Sequence, residues 1–334
     1  MKDDLLLAME NICVNFNTRR GLVHAVRNLS LEIKRGETLA LVGESGCGKS
    51  VTAHTINRLI PMPPGIIESG KVLYKGTNLL NLSEKEIQAI RGSQISMIFQ
   101  EPMTSLNPVF KIGDQLSDVF MTHQGMTKKE SIKRAEDLLN RVKIPSPKKV
   151  LKDYPHQLSG GMRQRVMIAM ALASPEPGLM IADEPTTALD VTIQAQILDL
   201  LSDLKKSIKM SLLLITHDMG VVAETADRVI VMYAGRKVEE GNVYQIFDNP
   251  KHPYTLGLLN SLPSNDKYFE SKRLEAIDGT VPDLLTIGDG CPFANRCKYK
   301  IDACNNSFPS VTEIEEGHTI YCHRSGELNG GFNE

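Results

Sequence analysis

The chain has 334 residues, of which 41% are hydrophobic and 23% are charged, a composition typical of a globular protein with a buried core. Its formal net charge of −2, its 5% aromatic content and its lack of Trp argue against nucleic acid as the main ligand. A chain of this length accommodates one large domain with an extension, or two modest domains.

The N-terminal segment MKDDLLLAMENICV lacks the features of a secretion signal. Two aspartates precede a short apolar run, whereas a signal peptide has a basic region before a longer apolar one. Nowhere do about 18 uninterrupted apolar residues predict a membrane-spanning helix. We therefore expect a soluble, cytoplasmic chain, and any membrane part would come from another subunit.

A glycine-rich segment, LALVGESGCGKS, has the pattern of a phosphate-binding loop. Leu39 to Val42 predict a buried strand and Val51 to Ile60 predict a helix, so G-x-x-x-x-G-K-[ST] has the strand–loop–helix setting it requires. Glycines let successive N–H groups converge on phosphate oxygens, and the helix N-terminus adds partial positive charge. We predict that Lys49 reaches the β- and γ-phosphates of ATP and that Ser50 ligates Mg²⁺. The predicted nucleotide-binding residues are Gly43, Glu44, Ser45, Gly46, Cys47, Gly48, Lys49, Ser50 and Val51.

A second apolar run, Leu179 to Ala182 in GLMIADEPTTALD, ends in two acids. A carboxylate at the end of a strand beside a phosphate loop can coordinate Mg²⁺. We therefore predict that Asp183 holds the metal through a water molecule. Glu184 is predicted to polarise the attacking water as general base. The chain turns at the strand end, so both side chains can face one site.

The segment QLSGGMRQRVMIAMALA predicts a second anion site. Ser159 is a good N-cap for the helical pattern that follows, and Gly160 and Gly161 leave the helix N-terminal amides uncovered. This site has neither a lysine nor a metal ligand. It is interpreted as a half-site that closes over the nucleotide held by a different subunit.

These motifs together resemble those of the ATP-binding-cassette (ABC) ATPases. LSGGMRQR is similar to the family signature, Gln100 stands where the family has its Q-loop glutamine, and Asp190 ends a segment that resembles the D-loop. His217 in LLLITHD resembles the switch histidine, and the likeness runs from about Leu5 to Gly241.

The resemblance implies an α/β, RecA-like P-loop domain with an antiparallel β subdomain and a helical subdomain at about residues 101–160. It also implies two such domains that close head-to-tail, each ATP lying between the Lys49 loop of one and the Ser159–Gly161 segment of the other. Gln100 would contact Mg²⁺ and water, and His217 would help hold the water that Glu184 activates.

The aromatic residue that stacks on adenine is harder to assign. The family usually carries it before the strand that leads to the phosphate loop. Phe16 is our candidate, His24 and Tyr233 are weaker ones, and a plain core role for Phe16 stays open.

The C-terminal part of the chain indicates which class of ABC ATPase the sequence resembles. The segment from Asn249 to Pro263 and the GCPFANRC tail resemble the ATPase subunits of dipeptide and oligopeptide importers. We therefore divide the chain into a cassette, 1–241, and an extension, 242–334. The resemblance implies that the chain works with a second ATPase subunit, identical or related, and with two transmembrane permease subunits. A substrate-binding protein would interact with it indirectly. The protein would then lie at the cytoplasmic face of a bacterial or archaeal membrane. Nickel or another small solute as cargo, a soluble non-transport ABC ATPase and a P-loop kinase are the alternatives.

Four cysteines lie close together in the extension: Cys291, Cys297, Cys304 and Cys322. A cytoplasmic chain should not hold stable disulfides, and the uneven gaps differ from the C-x₂-C pairs common in zinc sites. Four thiolates of this spacing suit a [4Fe–4S] cluster, as the resemblance also implies. We predict such a cluster as a structural staple of the tail; zinc, with help from His318 or His323, and no metal are the alternatives.

Overall fold

The computed structural model describes residues 4–101, 105–173, 177–187, 189–262 and 277–330. Its strands are β1 (Leu5–Thr18), β2 (Gly21–Lys34), β3 (Thr38–Val42), β4 (Gly65–Tyr74), β5 (Thr77–Asn78), β6 (Ile95–Ile98), β7 (Leu179–Asp183), β8 (Ser211–Thr216), β9 (Arg228–Tyr233), β10 (Arg236–Asn242), β11 (Thr312–Glu315) and β12 (His318–Ile320). Its α-helices are α1 (Lys49–Ile56), α2 (Glu84–Ile90), α3 (Ile112–Gln124), α4 (Lys128–Arg141), α5 (Pro147–Val150), α6 (Gly160–Leu172), α7 (Val191–Ile208), α8 (Met219–Thr225), α9 (Val243–Asp248), α10 (Pro253–Asn260) and α11 (Ala303–Asn306).

The chain forms two compact units. The signature unit contains the described residues of Met1–Leu6, Ile33–Glu37 and Asn78–Ile215. The P-loop unit contains Leu7–Glu32, Thr38–Thr77 and the described residues of Thr216–Glu334. Neither unit is one continuous segment, because the chain passes between them several times.

In the signature unit, strands β6, β7 and β8 pair in parallel in that order. Every residue of β7 and β8 is buried, as expected for parallel strands covered on both faces. The predicted strand from Leu179 is thus confirmed, and it includes Asp183 as its last residue.

Helices α3 to α6 follow one another along the signature unit, which also contains α2 and α7. The described residues between 105 and 158 form helices, turns and loops and no strand, as expected for the helical subdomain that the resemblance implies. Helix α4 begins with a capping box, in which Thr127 and Glu130 each bond to the backbone N–H of the other. Helix α6 begins at Gly160 with Ser159 as its N-cap, so that prediction is confirmed.

The P-loop unit contains an antiparallel sheet in the order β2-β1-β4-β5. In the same unit β3 pairs in parallel with β9, and β10 pairs antiparallel with both β9 and β12. Strand β12 pairs in turn with β11. The last two strands come from the tail of the extension.

The helix after the phosphate loop is shorter than predicted. It ends at Ile56 and not at Ile60, because Arg58 adopts a left-handed backbone conformation with φ 50°. The Leu59 N–H then donates to the His54 carbonyl at 2.8 Å, which satisfies the helix end.

The tail is held by aromatic packing within the P-loop unit. Phe293, which is 3% exposed, packs edge-on against Tyr233 with ring centroids 5.2 Å apart. Tyr254, from helix α10, lies 4.6 Å from Tyr233 and 5.4 Å from Phe293. Three large buried rings therefore give the extension an apolar core that it shares with strand β9.

None of the helices in the described part of the chain combines the length and the apolar composition that crossing a lipid bilayer requires.

Candidate functional site

The loop between β3 and α1 depends on two glycines. Gly48 is the N-cap of α1 with φ 102°, and a Cβ there would lie 2.5 Å from the Ala25 carbonyl oxygen. A Cβ on Gly43 would lie 2.2 Å from the Met232 carbonyl oxygen. Only glycine fits at either position, so the backbone follows a path that other residues cannot take.

Lys49 is buried within this loop, with 4% of its surface exposed. Its ammonium group donates to the Gly43 carbonyl at 2.7 Å and to the Glu44 carbonyl at 3.1 Å. The lysine charge therefore lies inside the curve of the loop, where it can meet a phosphate oxygen. Cys47 is fully buried, and burial raises the pKa of its thiol, which disfavours the reactive thiolate. Ser50 and Val51 are half-buried in the first turn of α1.

In the signature unit the structure brings together Gln100 and Glu184. The Gln100 amide donates to Glu184 Oε2 at 3.0 Å, and the Thr187 hydroxyl donates to the same oxygen at 2.9 Å. Glu184 has φ 46°, so the chain turns directly after Asp183, which is 1% exposed. The turn at the strand end that the sequence reading expected is therefore present, and the carboxylate has a fixed orientation.

The LSGG segment presents an open helix N-terminus. The Ser159 hydroxyl accepts from the Met162 N–H at 3.3 Å, and both Ser159 and Gly160 are exposed. A Cβ on Gly161 would lie 2.8 Å from the side chain of Ile193, which explains a glycine there. The N–H groups of this first turn can bind an anion that approaches from outside the unit.

The other predicted site residues lie at element ends or edges. Asp190, the last residue of the segment that resembles the D-loop, caps helix α7 by accepting from the Ile193 N–H at 2.9 Å. His217 is exposed directly after β8.

Phe16 is half-buried in β1, opposite Gly65 of β4, so either an adenine contact or a core role is compatible with its position. Tyr233 is fully buried, so it is not available for stacking on a base. The roles of the site residues stay predictions.

Two residues that touch the phosphate loop were missed. The Glu44 N–H donates to the Tyr254 hydroxyl at 2.8 Å, and Arg296 Nη1 lies 2.7 Å from Glu44 Oε2. The two pairs are separated by 210 and 252 residues in sequence, so no local pattern could have revealed them.

The structure does not support the predicted iron–sulfur site directly. All six cysteines of the chain are described, and all are free thiols. Within the described ranges no group of three or more His, Cys, Asp or Glu side chains is arranged to hold a metal ion. Burial, together with the charges of the neighbouring tail cysteines, raises the pKa of Cys291 to about 12 and that of Cys297 to about 11. The four tail thiols are thus electrostatic neighbours of one another, and the cluster stays a prediction.

The structure gives both histidines of the zinc alternative other partners. His318 is fully buried, and its Nε2 lies 2.8 Å from a carboxylate oxygen of the fully buried Glu239. Its Nδ1 lies 3.4 Å from Glu315 Oε1, and His323 Nε2 lies 2.9 Å from the Ser307 carbonyl. Glu239 also accepts from the N–H of Lys251, so this pair joins β10, β12 and the start of α10. Burial opposes protonation of His318, yet its carboxylate partners raise its pKa overall.

A strand–loop–helix phosphate cradle, an acid-ended strand and an exposed LSGG helix N-terminus in one α/β chain define an ATP-binding cassette. The profile of the family described as ABC transporter matches residues 26–187, and that described as oligopeptide/dipeptide transporter, C-terminal region, matches residues 238–304.

Two curated proteins and a solved structure are similar to this chain over most of its length. The dipeptide transport ATP-binding protein DppD of Bacillus subtilis (strain 168) is 50% identical over 317 residues, which cover 95% of this chain and 94% of that protein. The oligopeptide transport ATP-binding protein OppD of the same organism is 51% identical over 315 residues, covering 94% and 87%. The dimeric, post-hydrolysis structure of the ATP-binding cassette MJ0796 with ADP and Pi has a TM-score of 0.64 and 28% identity, covering 71% of this chain and 99% of that one.

The chain belongs to the ABC transporter ATP-binding proteins of the dipeptide and oligopeptide transport family. It is an ABC-type ATPase, and the predicted cassette fold is confirmed.

Proposed function

We propose that this protein hydrolyses ATP to power the import of dipeptides or oligopeptides through a membrane ABC transporter. The observation that carries the proposal is the pairing in one chain of a complete cassette with the C-terminal region of peptide transporters. Two relatives are about 50% identical to this chain over nearly its full length, and they are named as dipeptide and oligopeptide transport ATP-binding proteins. These names support peptides over nickel as cargo.

The Lys49 loop is the proposed site of the ATP phosphates. Its backbone N–H groups and the buried ammonium would bind the β- and γ-phosphates, and the positive end of α1 adds to the attraction. Ser50, Gln100 and Asp183 are the residues that would hold Mg²⁺. The metal, when bound, neutralises phosphate charge.

Glu184 is the proposed general base of hydrolysis. Gln100 and Thr187 both donate a hydrogen bond to its Oε2, and these two bonds fix the orientation of the carboxylate. In these bonds both residues act as donors, so the carboxylate is the proton acceptor of the group. A carboxylate held in this way can orient a water and take its proton. His217 is the residue proposed to contact the γ-phosphate and to hold that water.

The exposed LSGG segment supports a second ATPase subunit as partner. Ser159 and Gly160 are open to solvent at a helix N-terminus that lacks any lysine of its own. We infer that this surface completes the nucleotide site of a neighbouring copy or a related chain. The dimeric form of the similar cassette MJ0796 agrees with such a pair.

Three exposed apolar side chains close to Gln100 in the sequence support contact with a membrane permease. Phe99, Val109 and Phe110 are 41%, 72% and 54% exposed, although large apolar side chains are usually buried. The family resemblance also implies that the segment Met103–Pro108 takes part in this contact; of its residues, Met103 and Thr104 lie outside the described part of the chain. Two permease subunits docked here would place the protein at the cytoplasmic face of the membrane.

Isolation of the protein from membranes tests the assignment to a transporter. With mild detergent, tagged protein is expected to bring down two integral membrane chains and a second ATPase chain. A soluble ABC machine would instead purify without integral partners, and a kinase would yield a phosphorylated product in place of free phosphate. The double variant Val109→Asp/Phe110→Asp should lose the permeases but retain ATP binding; Val311→Asp, at an exposed tail residue, serves as control.

We also propose that Cys291, Cys297, Cys304 and Cys322 hold a [4Fe–4S] cluster. Two observations support an anionic group here. Arg27 Nη1 and Arg236 Nε are buried and have no hydrogen-bond partner among the described residues. Burial lowers the pKa of the Arg236 guanidinium, but Asp289 and Cys291 also lie close enough for negative charge on either to raise it. A cluster of four thiolates carries net negative charge and would offset these guanidinium groups. Its role would be to tie the tail together.

The colour of anaerobically purified protein tests this part of the proposal. We expect brown protein with a broad absorption near ~400 nm and about four iron atoms per chain. The variant Cys304→Ser should lose the absorption, whereas Cys13→Ser should keep it. Colourless protein with stoichiometric zinc, or with no metal, would show that the cluster assignment is wrong.

A further inference from the structure

The C-terminal extension reaches the phosphate loop through one ion pair. Arg296 Nη1 lies 2.7 Å from Glu44 Oε2, and Arg296 Nη2 donates to Glu44 Oε1 at 3.1 Å. The pair is therefore bidentate, the strongest geometry between guanidinium and carboxylate. The two side chains are 7% and 26% exposed, so water screens the pair less than it would a surface pair.

Arg296 is fixed by its own segment before it touches Glu44. Its Nε donates to the Asp278 carbonyl at 2.9 Å and its Nη2 to the Ile277 carbonyl at 3.1 Å. Its Nη1 also donates to the Tyr233 hydroxyl at 3.1 Å. Because these acceptors fix the planar guanidinium group, its two terminal nitrogens are already oriented toward the Glu44 carboxylate.

A second contact holds the backbone of the same loop residue. The Glu44 N–H donates to the hydroxyl of Tyr254, a fully buried residue of helix α10. Tyr254 packs against Phe293, which lies two residues after Cys291 in sequence. Both the side chain and the peptide N–H of Glu44 are thus bonded to the extension.

We infer that Arg296 is a positioning residue for ATP binding, and that the fold of the C-terminal extension and the affinity of the phosphate loop are coupled. The inference rests on the proposed ATP site at Lys49. Two physical effects support it. Arg296 compensates a carboxylate that would otherwise repel the phosphates, and together with Tyr254 it restricts the first peptide of the loop. By linkage, ATP must stabilise the extension as much as the extension favours ATP.

The variant Arg296→Gln tests the coupling. We expect the Kd for a fluorescent ATP analogue to rise about tenfold, because the Glu44 charge is then left without a partner. Adding Glu44→Gln should recover most of the affinity, since the repelling charge is gone. Arg296→Lys, which keeps the charge but loses the fork, should fall between wild type and Arg296→Gln. Loss of affinity through general damage to the fold would not be reversed by the second substitution.

Arg20→Gln is the matched control. It removes another ion pair between the cassette and the extension, Arg20–Asp283, in which the side chains are 78% and 51% exposed. Its Kd should stay within about twofold of wild type, because exposed pairs contribute little. Hydrogen exchange supplies the reciprocal readout: ATP should slow exchange in a peptide covering residues 289–306 in wild type, but not in Arg296→Gln.

The outcomes separate this inference from the proposed ATP site. If Lys49→Ala abolishes nucleotide binding while Arg296→Gln binds within twofold of wild type, the coupling is wrong and the ATP site stands. The coupling is also overturned if the double variant is as weak as Arg296→Gln. If Lys49→Ala binds the analogue as tightly as wild type, the proposed ATP site itself fails.

Discussion

Glu184→Gln is expected to lower ATP turnover by about 10²- to 10⁴-fold, the contribution usual for a positioned general base. The amide keeps the size of the side chain but cannot take a proton from water. The two donors that hold Glu184 Oε2, from Gln100 and Thr187, belong to neighbouring elements and remain in place. Binding of ATP should therefore persist while its cleavage stops.

The measurement is phosphate release at saturating ATP, combined with the molecular mass in solution. Because ATP is bound but not cleaved, the variant should accumulate as an ATP-bound dimer that wild type does not retain. Glu136→Gln, which changes a carboxylate paired with Lys148 across 3.9 Å on a helix surface, should behave as wild type in both assays. Turnover by Glu184→Gln at the wild-type rate would contradict the assigned role.

Ser159→Arg is expected to abolish cooperative hydrolysis while leaving ATP binding to the single chain intact. Ser159 is exposed, so a long side chain there fits within the monomer but occupies the surface that we propose to face the nucleotide of a partner. The loss of the N-cap bond to Met162 costs the helix about 1 kcal/mol, too little to unfold the unit.

Ser159→Asn is the matched control, because asparagine retains the cap and adds little bulk. It should still dimerise with ATP when combined with Glu184→Gln. The combination of Ser159→Arg with Glu184→Gln should stay monomeric with bound ATP. If that combination dimerised as readily as Glu184→Gln alone, the half-site interpretation of the LSGG segment would be wrong.

The parts of the site that could be predicted are those encoded by neighbouring residues. The loop from Gly43 to Ser50, the acid at the end of β7 and the Ser159 cap all follow from a local pattern with a direct physical reason. The end of helix α1 could not be placed, because it depends on a left-handed Arg58 that no composition signal marks.

The tail was the least predictable part of the fold. Its strands β11 and β12 are short, and they exist because β10 offers an edge on which β12 can pair. The core formed by Phe293 and Tyr254 likewise depends on Tyr233 of another strand. Contacts such as Arg296–Glu44 join residues 252 positions apart, so only the folded chain shows them.

The most direct test of the central claim is the specific ATPase activity of the purified chain as a function of its concentration, with sedimentation measured on the same samples. If each site needs a neighbouring subunit, activity per molecule should fall toward zero as dilution leaves only monomers that still bind ATP. Constant turnover per molecule under conditions where sedimentation detects monomers alone would contradict the account.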